Sequence, residues 1–146
     1  ARISFVVGNA QIVEKFKILR SQIDYGMFYP IQAGAVAALT GPQDIVARNR
    51  AGYMARRDAL CGGLRRIGWD VPDAQGTMFV WEKIPEKYTS SVDFVIELME
   101  KTGVICVPGS AFGAQGEGYV RFALVVPPER MEQAVRRIDE SGMLKG

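Results

Sequence analysis

Apolar residues recur along the first part of this chain at the spacing of a strand and then of helices. Residues 2–7 alternate at period two, which predicts a β-strand. The following apolar residues recur at helical spacing and predict an amphipathic helix that ends near residues 25–26: Ile12, Phe16, Leu19 and Ile23. Residues 27–30 predict an aromatic loop closed by proline, and the alanine-rich segment 31–39 predicts a short buried helix. Because a domain rarely begins inside a strand, we expect this sequence to be a piece of a longer protein.

A long helix is predicted next, from Asp44, which is placed to cap its start, to about residue 67. Its apolar residues are spaced by three, four and seven positions: Val46, Tyr53, Leu60, Leu64 and Ile67. A capping-box pattern beginning at Ser90 predicts a second helix that runs to about Thr102 and stops at Gly103 in the left-handed conformation.

Three further strands and a last helix complete the pattern. Strands are predicted over residues 77–81, 104–107 and 119–125. Prolines 127 and 128 open the last helix, whose apolar face precedes Gly142: Met131, Ala134, Val135 and Ile138. From Asp44 onward the order is therefore helix, strand, helix, strand, strand, helix. This order predicts an α+β fold in which helices pack on one small sheet.

Composition indicates a globular segment and excludes several kinds of partner. Of the 146 residues, 48% are hydrophobic and 23% are charged, and the mean hydropathy is +0.03. A net charge of +2 is too small to indicate nucleic acid or an anionic membrane, and no apolar run approaches the roughly 20 residues of a membrane span. Cys61 and Cys106 lack metal or redox spacing. These two cysteines predict buried, reduced thiols in a cytoplasmic protein. From the charge and the apolar runs we expect no binding to nucleic acid or to a membrane.

The chain contains no histidine. Histidine general-base chemistry, Ser-His and Cys-His nucleophile pairs and most zinc sites are therefore excluded from this stretch. We expect no metal site, and any catalysis must use other residue types or a cofactor.

Arg121 is the principal candidate for chemistry. Alternation along residues 119–125 places Val120, Phe122 and Leu124 on the core face of the strand, so Arg121 faces a cleft, a partner domain or solvent. One interpretation is a surface or ion-paired arginine. The other is a binding group for a carboxylate, because the planar guanidinium matches the two oxygens of that anion.

The residues around Arg121 resemble a known signature. V-P-G-S-A-F-G at residues 107–113, followed by G-E-G-Y-V-R-F-A-L at residues 116–124, resembles the C-terminal signature of fold type I pyridoxal-phosphate (PLP) aminotransferases of class I and II. In that family the strand arginine binds the α-carboxylate of the substrate, and Arg121 occupies its position. The glycines of the preceding loop are consistent with close backbone approach.

Other motifs extend the resemblance over essentially the whole chain. R-I-S-F-V-V-G-N at residues 2–9 is similar to the family motif R-I-G-F-x-x-G-N, although Ser4 stands where glycine is usual. The motif's arginine binds the cofactor phosphate, which assigns this role to Arg2. D-Y-G-M-F-Y-P-I-Q at residues 24–32 resembles the alanine-type branch, and G-T-M-F-V-W at residues 76–81 also falls in family order. Within this family, the chain therefore resembles alanine and aspartate aminotransferases.

The resemblance implies a division of the chain. Residues 1–24 would be a strand and helix at the end of the large PLP-binding domain, and residues 25–43 an interdomain segment near the dimer interface. Residues 44–146 would form the small C-terminal α+β domain of the PLP-dependent transferase fold. The Schiff-base lysine would lie a few residues upstream of Ala1, so no catalytic residue is expected in this stretch.

The implied function is amino transfer between a small amino acid, such as alanine, glutamate or aspartate, and a 2-oxo acid in a homodimeric enzyme. The chain by itself is expected to be inactive and not to retain PLP. One alternative is a PLP-dependent lyase or carbon-carbon synthase of the same fold, which would share the carboxylate-binding arginine. Another is a free-standing α+β module that binds a small carboxylate without catalysis.

Overall fold

The computed structural model describes residues 2–145, which form five α-helices and three β-strands. In chain order they are α1 (Ala10–Ser21), α2 (Tyr29–Thr40), α3 (Asp44–Arg66), β1 (Phe79–Lys83), α4 (Ser91–Thr102), β2 (Val107–Pro108), β3 (Tyr119–Ala123) and α5 (Pro128–Glu140). Two short 3₁₀ helices, Gly109–Phe112 and Ala114–Gly116, lie between β2 and β3. The predicted order of elements from α3 onward, and with it the α+β class, is confirmed.

The chain divides into two compact units, Ala1–Ala47 and Arg48–Gly146. The first unit contains α1 and α2, and none of its described residues is buried. Its five most exposed large apolar side chains are Tyr25, Val7, Tyr29, Phe5 and Phe28. The assignment of residues 1–24 to a large domain and of residues 25–43 to an interdomain segment stays a prediction.

The predicted strand at residues 2–7 is absent from the structure, in which these residues form no regular element. A strand is stabilised by hydrogen bonds to a neighbouring strand, and no described segment pairs with this one. The prediction of a strand here is therefore wrong, because alternation of side chains cannot supply a pairing partner.

Three details of the first helices also differ from the predictions. α1 ends at Ser21 and α2 begins at Tyr29, so the loop covers residues 22–28 rather than 27–30. Pro30 lies in the first turn of α2, where no backbone N–H donor is needed. α2 contains no buried residue in the structure, so the predicted burial of the helix over residues 31–39 is wrong for the described residues. Asp44 lies inside the first turn of α3 rather than before it, where its carboxylate still favours the positive end of the helix dipole.

The three strands form an antiparallel sheet in the order β1-β3-β2. β3 is the central strand, and Arg121 pairs with Trp81 of β1 on one side and with Val107 of β2 on the other. β1 begins at Phe79 rather than at residue 77, and β2 covers only Val107–Pro108 rather than residues 104–107. Pairing with the neighbouring strand sets these bounds, whereas apolar character alone extends beyond them.

A single buried cluster packs against one face of this sheet and joins residues from α3, α4 and α5. Trp69 makes edge-to-face contacts with Phe94 of α4 and Phe122 of β3, with centroid distances of 5.3 and 5.8 Å. Cys61 and Cys106 are buried and unbridged, as predicted. Burial raises the pKa of the Cys106 thiol to about 12, so this thiol stays neutral.

The two ends of α4 follow the sequence prediction. The Ser90 side chain accepts a hydrogen bond from the backbone N–H of Asp93 at 3.2 Å, and Gly103 ends the helix with a left-handed φ of 68°. Both signals are local in the sequence, which explains why the bounds of this helix could be predicted.

We predict opposite effects from two adjacent glycines of α3. An alanine Cβ at Gly63 would lie 2.7 Å from Cγ2 of Val135 in α5, whereas at Gly62 the nearest atom is the end of the Arg66 side chain at 3.7 Å. We expect Gly63→Ala to lower the free energy of unfolding by about 2 kcal/mol through overpacking against a stiff β-branched side chain. Gly62→Ala should raise it by up to about 1 kcal/mol through helix propensity. Urea unfolding checks both variants, and equal changes would contradict the close packing of α3 on α5.

Candidate functional site

Arg121 lies at the centre of β3 with its side chain on the face opposite the core. Val120, Phe122 and Leu124 are 0%, 4% and 1% exposed, whereas Tyr119 and Arg121 are half-buried. The predicted alternation along this strand is therefore confirmed. Because strands pair with β3 on both sides, the backbone of Arg121 is held firmly while its side chain leaves the sheet.

The guanidinium of Arg121 contacts two aromatic rings. Its Cζ lies 4.1 Å from the ring centroid of Phe79 in β1 and 4.3 Å from that of Phe112 at the end of the first 3₁₀ helix. Both distances are well within the range of cation–π attraction, which favours a positive charge against the face of a ring. We call Phe79 and Phe112 the aromatic clamp.

The charge of Arg121 has no acidic partner among residues 2–145. Its Nε is buried and makes no hydrogen bond to the described chain. A buried donor of a charged group without a partner costs free energy, and the rings of the aromatic clamp offset only part of that cost. The ion-paired interpretation of Arg121 therefore has no support within the described residues, and the site can accept an external anion.

Two more aromatic side chains extend the surface around the aromatic clamp. Trp81 stacks on Tyr119 with centroids 5.6 Å apart, and it meets the Phe112 ring edge-on at 5.5 Å. Trp81 is 42% exposed, which is unusual for so large an apolar side chain. The sheet face around Arg121 is thus largely apolar, with Lys83 farther along β1, opposite Tyr119.

The loop that carries Phe112 is fastened to the start of α4. Ser91, which is fully buried, makes a hydrogen bond of 3.1 Å between its hydroxyl and that of Ser110. The Glu117 carboxylate accepts hydrogen bonds from the backbone N–H groups of Ser91 and Gly118 at 2.6 and 2.9 Å. These bonds hold the pKa of Glu117 below its usual value. A charged Glu117 therefore ties the start of α4 to the end of this loop.

Two glycines bring the backbone of this loop into close contact with itself. A Cβ on Gly109 would collide with the carbonyl oxygen of Gly116 and lie 2.7 Å from that of Tyr119. A Cβ on Gly116 would collide with the carbonyl oxygen of Gly109 in return. The sequence analysis interpreted the glycines of residues 107–113 as sites of close backbone approach, and Gly109 makes such an approach whereas Gly113 has no atom within 4 Å of its Cβ position.

Arg2 belongs to the first unit and Arg121 to the second, so the structure describes the two predicted site residues separately. Arg2 is exposed, has a φ of 54°, and forms no salt bridge with an acidic side chain in the described part of the chain. Its guanidinium can donate hydrogen bonds to a phosphate group.

The sequence analysis missed the aromatic clamp as part of the site. Phe112 was included only in a loop motif, and Phe79 only in a predicted strand and in the motif at residues 76–81. Alternation offered one signal for a second apolar surface. Phe79 and Trp81 share the face of β1 opposite the buried Val80, so both faces of the strand are apolar there. Register was still needed to place Phe79 beside Arg121.

Residues 2–145 contain neither a metal-binding cluster nor a membrane-spanning helix. No group of three or more histidine, cysteine, aspartate or glutamate side chains is arranged to hold a metal ion in this range. Helices of the length and apolar character needed to cross a membrane are likewise absent from it.

Comparison with known proteins gives consistent results. The profile of the family described as aminotransferase class I and II matches residues 1–138. The chain is 41% identical over 137 residues to LL-diaminopimelate aminotransferase of Dehalococcoides mccartyi. The aligned region covers 94% of this chain and 35% of that protein. It thus spans about a third of the length of the curated relatives it matches.

Solved structures show the same similarity. An aminotransferase from Staphylococcus aureus superposes with a TM-score of 0.83 at 28% identity, covering 96% of this chain and 37% of that one. BacF from Bacillus subtilis superposes with a TM-score of 0.82 at 30% identity, covering 92% and 34%. Sequence and fold therefore agree, and this chain belongs to the class I and II aminotransferase family.

Proposed function

We propose that this chain is part of a PLP-dependent aminotransferase that moves an amino group between an amino acid and a 2-oxo acid. The observation that carries the proposal is Arg121, whose guanidinium lies on the non-core face of the sheet, against two aromatic rings and without an acidic partner in residues 2–145. Such a group has the chemistry to bind a carboxylate, which every α-amino acid and 2-oxo acid carries.

Arg121 would act by binding and orienting the substrate. Its nitrogens would donate hydrogen bonds to the α-carboxylate, and the apolar surface around it would exclude water and strengthen the ion pair. Fixing the carboxylate at one end of a short molecule limits the rotation of the bonds at Cα. The Cα–H bond is then aligned for proton removal, which is a positioning contribution rather than a proton-transfer step.

The family implies PLP as the cofactor. Arg2 fits this group in donor type, because a guanidinium binds phosphate through paired hydrogen bonds, and we propose that Arg2 binds the phosphate of PLP. None of the six lysines of this chain directly precedes the Arg2 motif, so we propose that the Schiff-base lysine lies in sequence preceding residue 1. When bound, PLP supplies the electron-accepting ring system that makes the Cα–H bond acidic.

The substrate of the whole protein belongs to one of two classes. A small amino acid such as alanine, glutamate or aspartate follows from the motifs around residues 24–32. LL-diaminopimelate follows from the names of the curated relatives with 41% identity. Both classes carry the α-carboxylate that Arg121 would bind, so the distinction must come from groups that contact the rest of the substrate.

We further propose a cytoplasmic homodimer as the working form. The first unit exposes large aromatic side chains that residues 2–145 leave uncovered, among them Tyr25, Phe28 and Tyr29. Such a surface favours contact with further protein, whether the same polypeptide or a second subunit. The two unbridged, buried cysteines favour a reducing compartment.

The test uses the full-length protein with PLP. Alanine, glutamate, aspartate and LL-diaminopimelate are each incubated with a 2-oxo acid acceptor, and both products are quantified by chromatography. We expect one new amino acid and one new 2-oxo acid in equal amounts for at least one donor. Ammonia release or carbon-carbon cleavage without amination of the acceptor would favour the lyase or synthase alternative. No reaction with any donor would overturn the proposal, and residues 1–146 alone are expected to be inactive.

A further inference from the structure

We infer that Phe79 and Phe112 are positioning residues that hold the guanidinium of Arg121 so that only its two terminal nitrogens meet a carboxylate. This inference deepens the proposed function and rests on it, because it concerns the same arginine. The aromatic clamp touches no reacting atom. It would act through Arg121 by restricting where that side chain points.

The first observation is the origin of the two rings. Phe79 comes from β1, the edge strand hydrogen-bonded to β3, and its Cζ–centroid distance to Arg121 is 4.1 Å. Phe112 comes from the loop after β2, at 4.3 Å. No aromatic contact joins the two rings within residues 2–145, so they approach the guanidinium independently. Separate elements of the fold therefore converge on one side chain.

The second observation is the burial of Nε. This nitrogen is inaccessible to solvent and has no hydrogen-bond partner in the described chain. Nη1 and Nη2 are not among the buried, unpartnered side-chain atoms of the described residues. A carboxylate approaching the sheet face therefore meets Nη1 and Nη2 and cannot reach Nε. The resulting end-on contact uses two parallel hydrogen bonds and fixes the plane of the carboxylate.

The clamp has an energetic consequence for binding. An arginine side chain is long and flexible, and ordering it on ligand binding costs conformational entropy. Rings that already hold the guanidinium in the free protein remove part of that cost before substrate arrives. They also displace water from both the cation and its anion, which strengthens the ion pair.

The experiment measures the amino-acid kinetics of the full-length enzyme after Phe112→Leu and Phe79→Leu. Phe112 is 50% exposed, so its replacement leaves the core intact. We expect each change to raise KM for the amino acid about tenfold, with kcat retained within about twofold, because substrate capture weakens while the chemistry is unchanged. Phe79→Tyr and Phe112→Tyr, which keep the ring face, should restore KM to within about twofold.

A double-mutant cycle isolates action through Arg121. In an Arg121→Lys background, Phe112→Leu should change KM by less than about twofold, since the group that the ring positions is gone. Tyr88→Leu is the matched control. Tyr88 is a partly buried aromatic that packs on Phe94 at 4.8 Å and makes no contact with Arg121. We expect its kinetics to equal those of the unchanged enzyme.

A spectroscopic readout is independent of turnover. The Nε–H signal of Arg121, assigned by its loss in Arg121→Lys, should be shifted by ring currents in the unchanged full-length protein. It should move part of the way toward the ordinary arginine position in each leucine variant, because one ring remains. Propionate, used as a carboxylate probe, should bind about tenfold more weakly to those variants.

The outcomes separate the two proposals. If Arg121→Lys impairs the enzyme but Phe112→Leu changes neither KM nor the Nε–H signal, the clamp is overturned and the proposed function stands. The clamp is also overturned, and the proposed function stands, if Phe112→Leu raises KM by the same factor in the Arg121→Lys background as in the unchanged enzyme. If Arg121→Lys itself leaves kinetics and propionate binding unchanged, the proposed role of Arg121 is overturned.

Discussion

Arg121→Lys in the full-length protein is expected to lower kcat/KM for the amino-acid substrate by roughly 100-fold, which corresponds to about 3 kcal/mol. Lysine keeps the positive charge but cannot form two parallel hydrogen bonds, and an ammonium does not stack between rings as a guanidinium does. Both KM and kcat should suffer, because a carboxylate that is bound less firmly also leaves Cα less well aligned. Steady-state kinetics over a range of amino-acid concentrations measure the two effects. The loss should remain smaller than that caused by replacing the PLP-binding lysine.

Arg130→Lys serves as the control for that result. Arg130 is exposed on α5, and its side chain donates a hydrogen bond to Gln133 within the same helix. The substitution has the same chemistry at a solvated position, so kcat/KM should stay within about twofold. If the two variants behaved alike, Arg121 would have no special role in the reaction.

Gly109→Ala is expected to destabilise the protein by at least about 3 kcal/mol. The new Cβ would collide with the carbonyl oxygen of Gly116 and lie 2.7 Å from that of Tyr119. Both obstacles are backbone atoms, one at the end of the second 3₁₀ helix and one at the start of β3. Neither can move without breaking the loop or the sheet. Chemical denaturation followed by tryptophan fluorescence measures the change.

Gly76→Ala is the matched control for this glycine. Gly76 precedes β1 in an exposed loop, its φ is not positive, and a Cβ there would meet no atom within 4 Å. The unfolding midpoint of the Gly76→Ala variant should therefore stay near that of the unchanged protein, or rise slightly because alanine is less flexible than glycine in the unfolded chain. A tolerated Gly109→Ala would show that the loop backbone relaxes easily. It would also weaken the argument that this loop holds Phe112 in place.

The sequence by itself determined those elements whose signals are local. α4 has its serine cap and its left-handed glycine within one segment, and α5 begins at the second of two prolines. Alternation along β3 placed Arg121 on the non-core face, because successive side chains of any strand point to opposite sides. The family motifs predicted the aminotransferase family, which the family profile over residues 1–138 confirms.

Only the tertiary structure decided what surrounds Arg121. Phe79 lies far from it in sequence, and the register between β1 and β3 brings the two together. The same dependence on distant partners explains the absence of the predicted strand at residues 2–7 and the short extent of β2. Side-chain spacing reports which face of a segment is apolar, but hydrogen-bond pairing and register depend on contacts between segments that no local pattern encodes.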